Sequence, residues 1–252
     1  MDFSGKKVLV TGATRGIGRA TTAAFLEAGA SVAVNGRSQA SVNRLMDELG
    51  GDRMVAAPGD LSEVAVCEVV AKNAVDGLGG LDYLVNNAGI YVVASMEDSD
   101  EAAWDSLNDI NVKATFFLSR ALLPVLRASK GAVVNLGSSA GLAGSAQTTI
   151  YCATKGAVVN LTRAMAQELA PDIRVNCVCP AVIATEMGDQ NLDIFGKPGA
   201  TRDDLKEWYP LDRIGTPEEV AQGILFLCSP AAAFMTGSML AMDGGALSSD
   251  SS

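Results

Sequence analysis

Short runs of β-branched and aliphatic residues alternate along the chain with longer stretches whose apolar positions recur at helical spacing. Lys7 to Thr11, Ser31 to Asn35, Arg53 to Ala57, Leu81 to Asn86, Ala132 to Leu136, Ile173 to Val178 and Met239 to Met242 read as strands. Between them, Ile17 to Ala28, Gln39 to Leu49, Glu63 to Asp76, Glu101 to Arg127 and Thr149 to Ala170 read as helices, and Pro217 opens a last one that ends near Cys228. Gly29 closes the first helix, Pro171 stops the long one, and Pro217 sits in a first turn, where its missing N–H has no partner to lose. Strands that alternate with helices predict a parallel sheet covered on both faces, and right-handed crossovers make it doubly wound. With no repeat, linker or low-complexity block, one α/β domain over residues 1–252 is expected. The stretch from Glu186 to Pro210 breaks the rhythm with Gly, Pro, Asp and scattered apolar residues, and a long irregular insert of this kind is expected to cover a site.

The first strand runs into Thr11-Gly12-Ala13-Thr14-Arg15-Gly16-Ile17-Gly18 and then a helix. Glycines allow a tight turn and close backbone approach, while the helix start offers free N–H groups to a pyrophosphate. This placement predicts a dinucleotide. An acid at the end of the second strand would hold the 2′-hydroxyl of NAD. That strand ends Val34-Asn35-Gly36-Arg37-Ser38, with Gly36 where the acid would stand and Arg37 directly after it. Arg15 is expected across the same ribose, so two guanidiniums would face a 2′-phosphate. NADP(H) is therefore the predicted cofactor.

Composition narrows the chemistry. The formal charge is −10 and no Lys/Arg run occurs, which disfavours nucleic acid and anionic membranes. The start, Met-Asp-Phe-Ser-Gly-Lys-Lys, passes straight into a strand, so no secretory leader is expected, and no apolar run approaches the ~20 residues of a membrane span. Cys67, Cys152, Cys177, Cys179 and Cys228 form no C-x-x-C pair and are read as reduced thiols of a cytoplasmic protein. Histidine is absent, which removes Ser-His-Asp triads, histidine bases and His-dependent zinc sites, and no metal is expected.

Proton transfer then falls to another residue type. The long helix begins Tyr151-Cys152-Ala153-Thr154-Lys155, and Tyr and Lys at i and i+4 share a helix face. A phenol with a pKa near ~10 becomes useful when an ammonium and an oxidised nicotinamide stabilise its phenolate. In reduction, Tyr151 would donate its proton to the forming alkoxide. Ser138, at the end of Val133-Val134-Asn135-Leu136-Gly137, offers a hydroxyl to the substrate oxygen.

The T-G-x-x-x-G-x-G spacing, Asn86-Asn87-Ala88-Gly89, Ser138, Tyr-x-x-x-Lys and the late Asp243-Gly244-Gly245 occur in order, and the whole chain resembles the short-chain dehydrogenase/reductase family. The resemblance implies a Rossmann-type fold and four catalytic residues: Asn111, Ser138, Tyr151 and Lys155. By the same resemblance, Asn111 kinks its helix and holds a water linked to Lys155. It places Gly12, Thr14, Arg15, Gly16, Ile17, Gly18, Arg37, Asp60, Leu61, Asn87, Ala88 and Gly89 along the cofactor. Tyr151, Lys155, Pro180, Ile183 and Thr185 are to meet its nicotinamide half. Ala181 departs from the family's usual Pro-Gly, and a position requiring positive φ would resist Ala.

The substrate pocket is expected from Tyr91 to Met96, Leu142 to Gln147 and Glu186 to Pro210, with Tyr91, Val92, Met96, Leu142, Met187, Leu192, Ile194, Phe195 and Trp208 as its apolar members. These point to a small carbonyl or secondary alcohol. The second reading is a 3-oxoacyl-acyl-carrier-protein reductase, with Arg127, Lys130 and Arg174 as candidates for docking an acidic carrier. Two further readings are an NAD-dependent alcohol or sugar dehydrogenase and a non-catalytic nucleotide-binding module. The family resemblance also implies a homotetramer or homodimer.

Overall fold

The computed structural model describes residues 1–189 and 201–248. Seven strands form one sheet: β1 Lys7–Val10, β2 Ser31–Val34, β3 Met54–Ala56, β4 Tyr83–Asn86, β5 Ala132–Leu136, β6 Arg174–Pro180 and β7 Met239–Met242. Their order is β3-β2-β1-β4-β5-β6-β7, and every neighbouring pair is parallel. The helices are α1 Gly16–Glu27, α2 Gln39–Leu49, α3 Val64–Leu78, α4 Glu101–Asn108, α5 Ala114–Ser129, α6 Thr149–Leu169, the short α7 Glu186–Asp189 and α8 Pro217–Cys228. This is the doubly wound Rossmann-type sheet that the alternation predicts.

Side chains alternate across each strand, so one strand feeds two cores. Val8 and Val10 pack with Phe25, Val34, Val220 and Ile224 on the face of α1 and α8. Leu9, between them, packs with Val70, Leu84, Leu118 and Leu122 on the face of α3 and α5. No described helix is long and apolar enough to cross a membrane.

Most boundaries shift by a residue or two, and the following differ in ways that bear on the site. The β3 and β4 strands are shorter at their amino ends, because pairing begins only at Met54 and Tyr83. The β6 strand runs on to Pro180, where the edge strand β7 pairs with it through Met242. The helix expected over 101–127 is interrupted by a π-helical segment, Asp109–Lys113, that contains Asn111. Ala181 is not among the residues with left-handed backbone, so its side chain causes no strain. Of the expected insert, α7 and a 3₁₀ segment Arg202–Trp208 are described, while Leu192, Ile194 and Phe195 lie outside the described residues.

Arg174 is structural. Its guanidinium donates to the carbonyls of Leu227 (2.8 Å), Ala232 (3.0 Å), Cys228 (3.1 Å) and Met235 (3.4 Å), capping the end of α8. Arg127 lies in the last turn of α5 and Lys130 caps it, just ahead of β5. All three therefore lie at the amino edge of this chain's sheet, and Arg174 is already committed to the fold. Arg174→Ala should lower stability by about 2 kcal/mol, because it strands several carbonyls that now share a charged donor. A urea unfolding midpoint checks this, with dinucleotide affinity expected to stay unchanged.

Candidate active site

The strand order reverses between β1 and β4, and the loops leaving their carboxyl ends meet there. The Thr11 hydroxyl accepts from the N–H groups of Asn87 and Ala88, each at 2.9 Å. The Asn87 amide donates in return to the carbonyls of Thr11 (2.8 Å) and Gly12 (3.2 Å). Behind this seam, a Cβ on Gly18 would fall 2.1 Å from the Gly12 carbonyl oxygen. Only glycine lets α1 begin this close to the turn, and its first N–H groups then face the crevice.

A cavity of about 1140 Å³ opens from this crevice along the carboxyl edge of the sheet. Every residue expected to contact the cofactor lines it, as do Ser138, Tyr151 and Lys155. Asn111 stands behind the wall, and Val92, Met96 and Leu142 do not line the cavity, so these three leave the expected substrate pocket. Among the described residues, no cluster of three or more Cys, Asp or Glu is placed to hold a metal ion.

At the β2 end, the buried Asn35 accepts weakly from the Gly12 N–H (3.4 Å) and donates to the carbonyls of Ala57 (2.9 Å) and Gly59 (3.2 Å). A Cβ on Gly36 would meet the Thr14 methyl at 2.6 Å and the Ser41 hydroxyl at 3.0 Å. Ser38 caps α2, accepting from the Ser41 N–H at 3.3 Å, and both hydroxyls line the cavity beside the exposed Arg37. Arg37 forms no ion pair within the described residues. Arg15, expected beside it, turns instead to Glu186 at 3.4 Å. The cradle fits a dinucleotide, with open helix N–H groups at its centre and hydroxyls and the exposed Arg37 guanidinium at one end.

The other end carries the proton-transfer groups. Ser138 ends the β5 loop, where its oxygen accepts from the Ala140 N–H (3.2 Å) and its hydroxyl donates weakly to the Pro180 carbonyl (3.5 Å). Tyr151 lies in the first turn of α6, and its ring packs edge-to-face with Tyr91, the centroids 4.6 Å apart. Lys155 follows one turn later. Its Nζ donates to the Leu136 carbonyl at 2.8 Å and lies 5.7 Å from the Tyr151 ring centroid. Burial pushes the Tyr151 phenol up to about 12, with the Ser138 hydrogen bond acting in the opposite sense. Burial pushes the Lys155 ammonium down to about 8, opposed by the nearby Cys177 and Cys179 thiols.

Asn111 ties two walls together. Its amide donates to the Ile90 carbonyl and to the Thr154 hydroxyl, both at 3.1 Å, and its oxygen accepts from the Ile90 N–H at 2.9 Å. The π segment makes this placement possible by letting one residue bulge out of the helix toward α6.

With this geometry the chain can be compared with known proteins. Residues 12–246 match the family model described as enoyl-(acyl carrier protein) reductase. The chain is a short-chain dehydrogenase/reductase. It is 41% identical to 2-(S)-hydroxypropyl-CoM dehydrogenase 3 of Xanthobacter autotrophicus, over 94% of this chain and 95% of that one. It is 37% identical to meso-2,3-butanediol dehydrogenase of Serratia marcescens, over 99% and 98%. Among solved structures it is similar to 3-ketoacyl-(acyl-carrier-protein) reductase from Brucella melitensis complexed with NADH, with a TM-score of 0.89, 30% identity and coverage of 97% and 99%. As a member of this family the chain is an oxidoreductase that acts on an alcohol or carbonyl group with a nicotinamide cofactor.

Several site features escape sequence reasoning. Ser41 and Glu186 carry no motif, and the Leu136 carbonyl is a backbone group. Ser38 was readable as a helix cap, since it directly precedes the α2 pattern. Cys177 and Cys179 sit with their sulfurs 3.7 Å apart beneath Gly137, where a Cβ would meet them at 2.7 and 2.9 Å. Alternation along β6 could have paired them on one face.

Replacing Asn111 with Ala should release Ile90 from α6 and lower kcat by about 10²-fold, the scale of a misplaced catalytic geometry. Steady-state kinetics beside a thermal melt separate this from simple unfolding.

Proposed function

We propose that this enzyme is an NADP(H)-dependent carbonyl reductase acting on small, uncharged ketones or secondary alcohols. The observation that carries the cofactor choice is at Gly36. No carboxylate stands there, the space a side chain would enter is taken by Thr14 and Ser41, and Arg37, which forms no ion pair among the described residues, follows. A 2′-phosphate finds a guanidinium and the Ser38 and Ser41 hydroxyls where NAD would require an acid.

The substrate reading rests on charge. The only cations among the described lining residues are Arg15, Arg37 and Lys155. Tyr91, Ala143, Gly144, Val182, Met187 and Trp208 add a neutral wall, which favours an uncharged substrate over an anionic one. The likeness to a diol dehydrogenase supports a small substrate, while the likeness to a ketoacyl-carrier reductase keeps an acyl thioester as the second reading. Exposed Trp104 and Phe116 on α4 and α5 favour a homo-oligomer.

The nicotinamide supplies or accepts the hydride. The chain's own residues manage the proton. At neutral pH the Tyr151 phenol stays protonated, as an acid for reduction must. The Ser138 hydroxyl exchanges its weak bond to Pro180 for the substrate oxygen. Once Tyr151 gives up its proton, the Lys155 ammonium stabilises the phenolate, and the Leu136 carbonyl holds that ammonium in place. Asn111 fixes the Ile90 loop against α6 and so orients both groups.

Arg37→Ala should raise KM for NADPH at least about tenfold more than for NADH, since a charge-assisted contact is lost with only one of them. Equal changes would remove the NADP assignment. Tyr151→Phe should abolish turnover of acetoin and of acetoacetyl thioester alike while NADPH still binds, and the faster of these two substrates in the parent enzyme identifies the substrate class. Because Lys155 loses its proton above about pH 8, the reduction rate should fall through that range, which a pH profile of kcat measures.

A further inference from the structure

Arg15 occupies a position between two neighbours. On one side, Thr14 reaches toward Gly36, so that a Cβ there would lie 2.6 Å from its methyl group. This is the side of Arg37 and the proposed 2′-phosphate. On the other side, Gly16 abuts Thr185, whose methyl would be 3.2 Å from a Cβ at residue 16. Glu186 follows Thr185 directly. Arg15 itself is the extended residue that precedes α1, with φ −156° and ψ 170°, so its side chain is not held by helical geometry. In the structure the guanidinium is with Glu186 at 3.4 Å, and both side chains are well exposed, at 52% and 70%. Both also line the dinucleotide cavity.

We propose that Glu186 is a cofactor-specificity residue that acts through Arg15, holding this guanidinium away from the 2′-phosphate and so limiting the preference for NADP(H) over NAD(H). The inference rests on the NADP reading only in where it places that phosphate. An exposed guanidinium can serve one anion at a time at full strength, and Glu186 competes with a ligand phosphate for it. Among the described residues Arg37 has no such competitor, and it provides the standing attraction. The Arg15–Glu186 pair therefore sets how much a second guanidinium adds. Exposed ion pairs are weak, so the competition tunes the preference without reversing it. It is also open to salt, since counterions screen both partners.

Glu186 differs from the other acidic residues paired near α1. Glu48 pairs with Arg19, which lies on α1, also at 3.4 Å, yet neither of these lines the cavity. Removing Glu48 changes the net charge by the same amount without freeing a guanidinium for the cofactor.

The test uses the full-length enzyme. Dissociation constants for NADP⁺ and NAD⁺ are measured by calorimetry at low and high salt for the parent, Glu186→Gln, Glu48→Gln, Arg15→Gln and the Arg15→Gln/Glu186→Gln double variant. Glu186→Gln is expected to tighten NADP⁺ by about two- to fivefold, the scale of an exposed ion pair, and to leave NAD⁺ nearly unchanged. The gain should vanish in the Arg15→Gln background and shrink at high salt, and Glu48→Gln should produce none of it. If Glu186→Gln tightens both dinucleotides equally, or does so without Arg15, Glu186 acts on the shared pyrophosphate and the proposal is overturned. No change in either constant also overturns it. If the parent binds both dinucleotides alike, the NADP reading fails on its own, and a preference that appears only in Glu186→Gln would still support the role of Glu186.

Discussion

Where the chain leaves β1 it must turn within one residue's width of α1 and, at the same point, touch the loop leaving β4. The absent Cβ of Gly18 and the paired hydrogen bonds between Thr11 and Asn87–Ala88 are two sides of that one requirement. If α1 stood further out, its N–H groups would not face the crevice. If the β4 loop drifted, Gly89, Ile90 and the Asn111 clamp would move with it. The sheet, with apolar strands buried on both faces, supplies the rigid base that lets such a close approach persist.

Much of this was readable from the chain because it depends on local chemistry. The strand–glycine–helix order, the tyrosine and lysine one turn apart and the serine at a strand end are short-range patterns, and the fold returns each to the cavity. What could not be read depends on distant partners. Arg15 pairs with a residue 171 positions away, and a long exposed side chain gives no sign of its direction. The pairing edge of β3 and β4 is set by where neighbours begin, not by which residues favour strands. The expected difficulty at Ala181 did not arise, since backbone there stays outside the left-handed region. The basic residues weighed for a carrier partner showed charge but not place, and Arg174 serves the end of α8.

Tyr151 and Lys155 show one environment acting on two groups in opposite directions. The same loss of water raises the phenol to about 12 and lowers the ammonium to about 8. Burial favours the neutral form of each, and this drives apart two proton affinities that are nearly equal in water, where the groups titrate at 10.0 and 10.5. The phenol therefore releases its proton only where its phenolate is stabilised, and the Lys155 ammonium, 5.7 Å from the ring centroid, is placed to do so. The thiols of Cys177 and Cys179 lie on the lysine's side of this balance and help keep it charged.

The π segment from Asp109 to Lys113 has a consequence for how the helix is counted. A π turn holds one residue more than an α turn, and each residue of an α-helix advances about 100° around the axis. Were the surplus residue deleted, α5 would be rephased by about a quarter turn relative to α4. The apolar stripe of Leu118, Leu122 and Leu126 would then swing off the sheet, unless Asn111 gave up its place against α6. The segment thus behaves like a leap day in a calendar: one extra unit lets the active-site wall and the core of the same long helix stay in step with different neighbours.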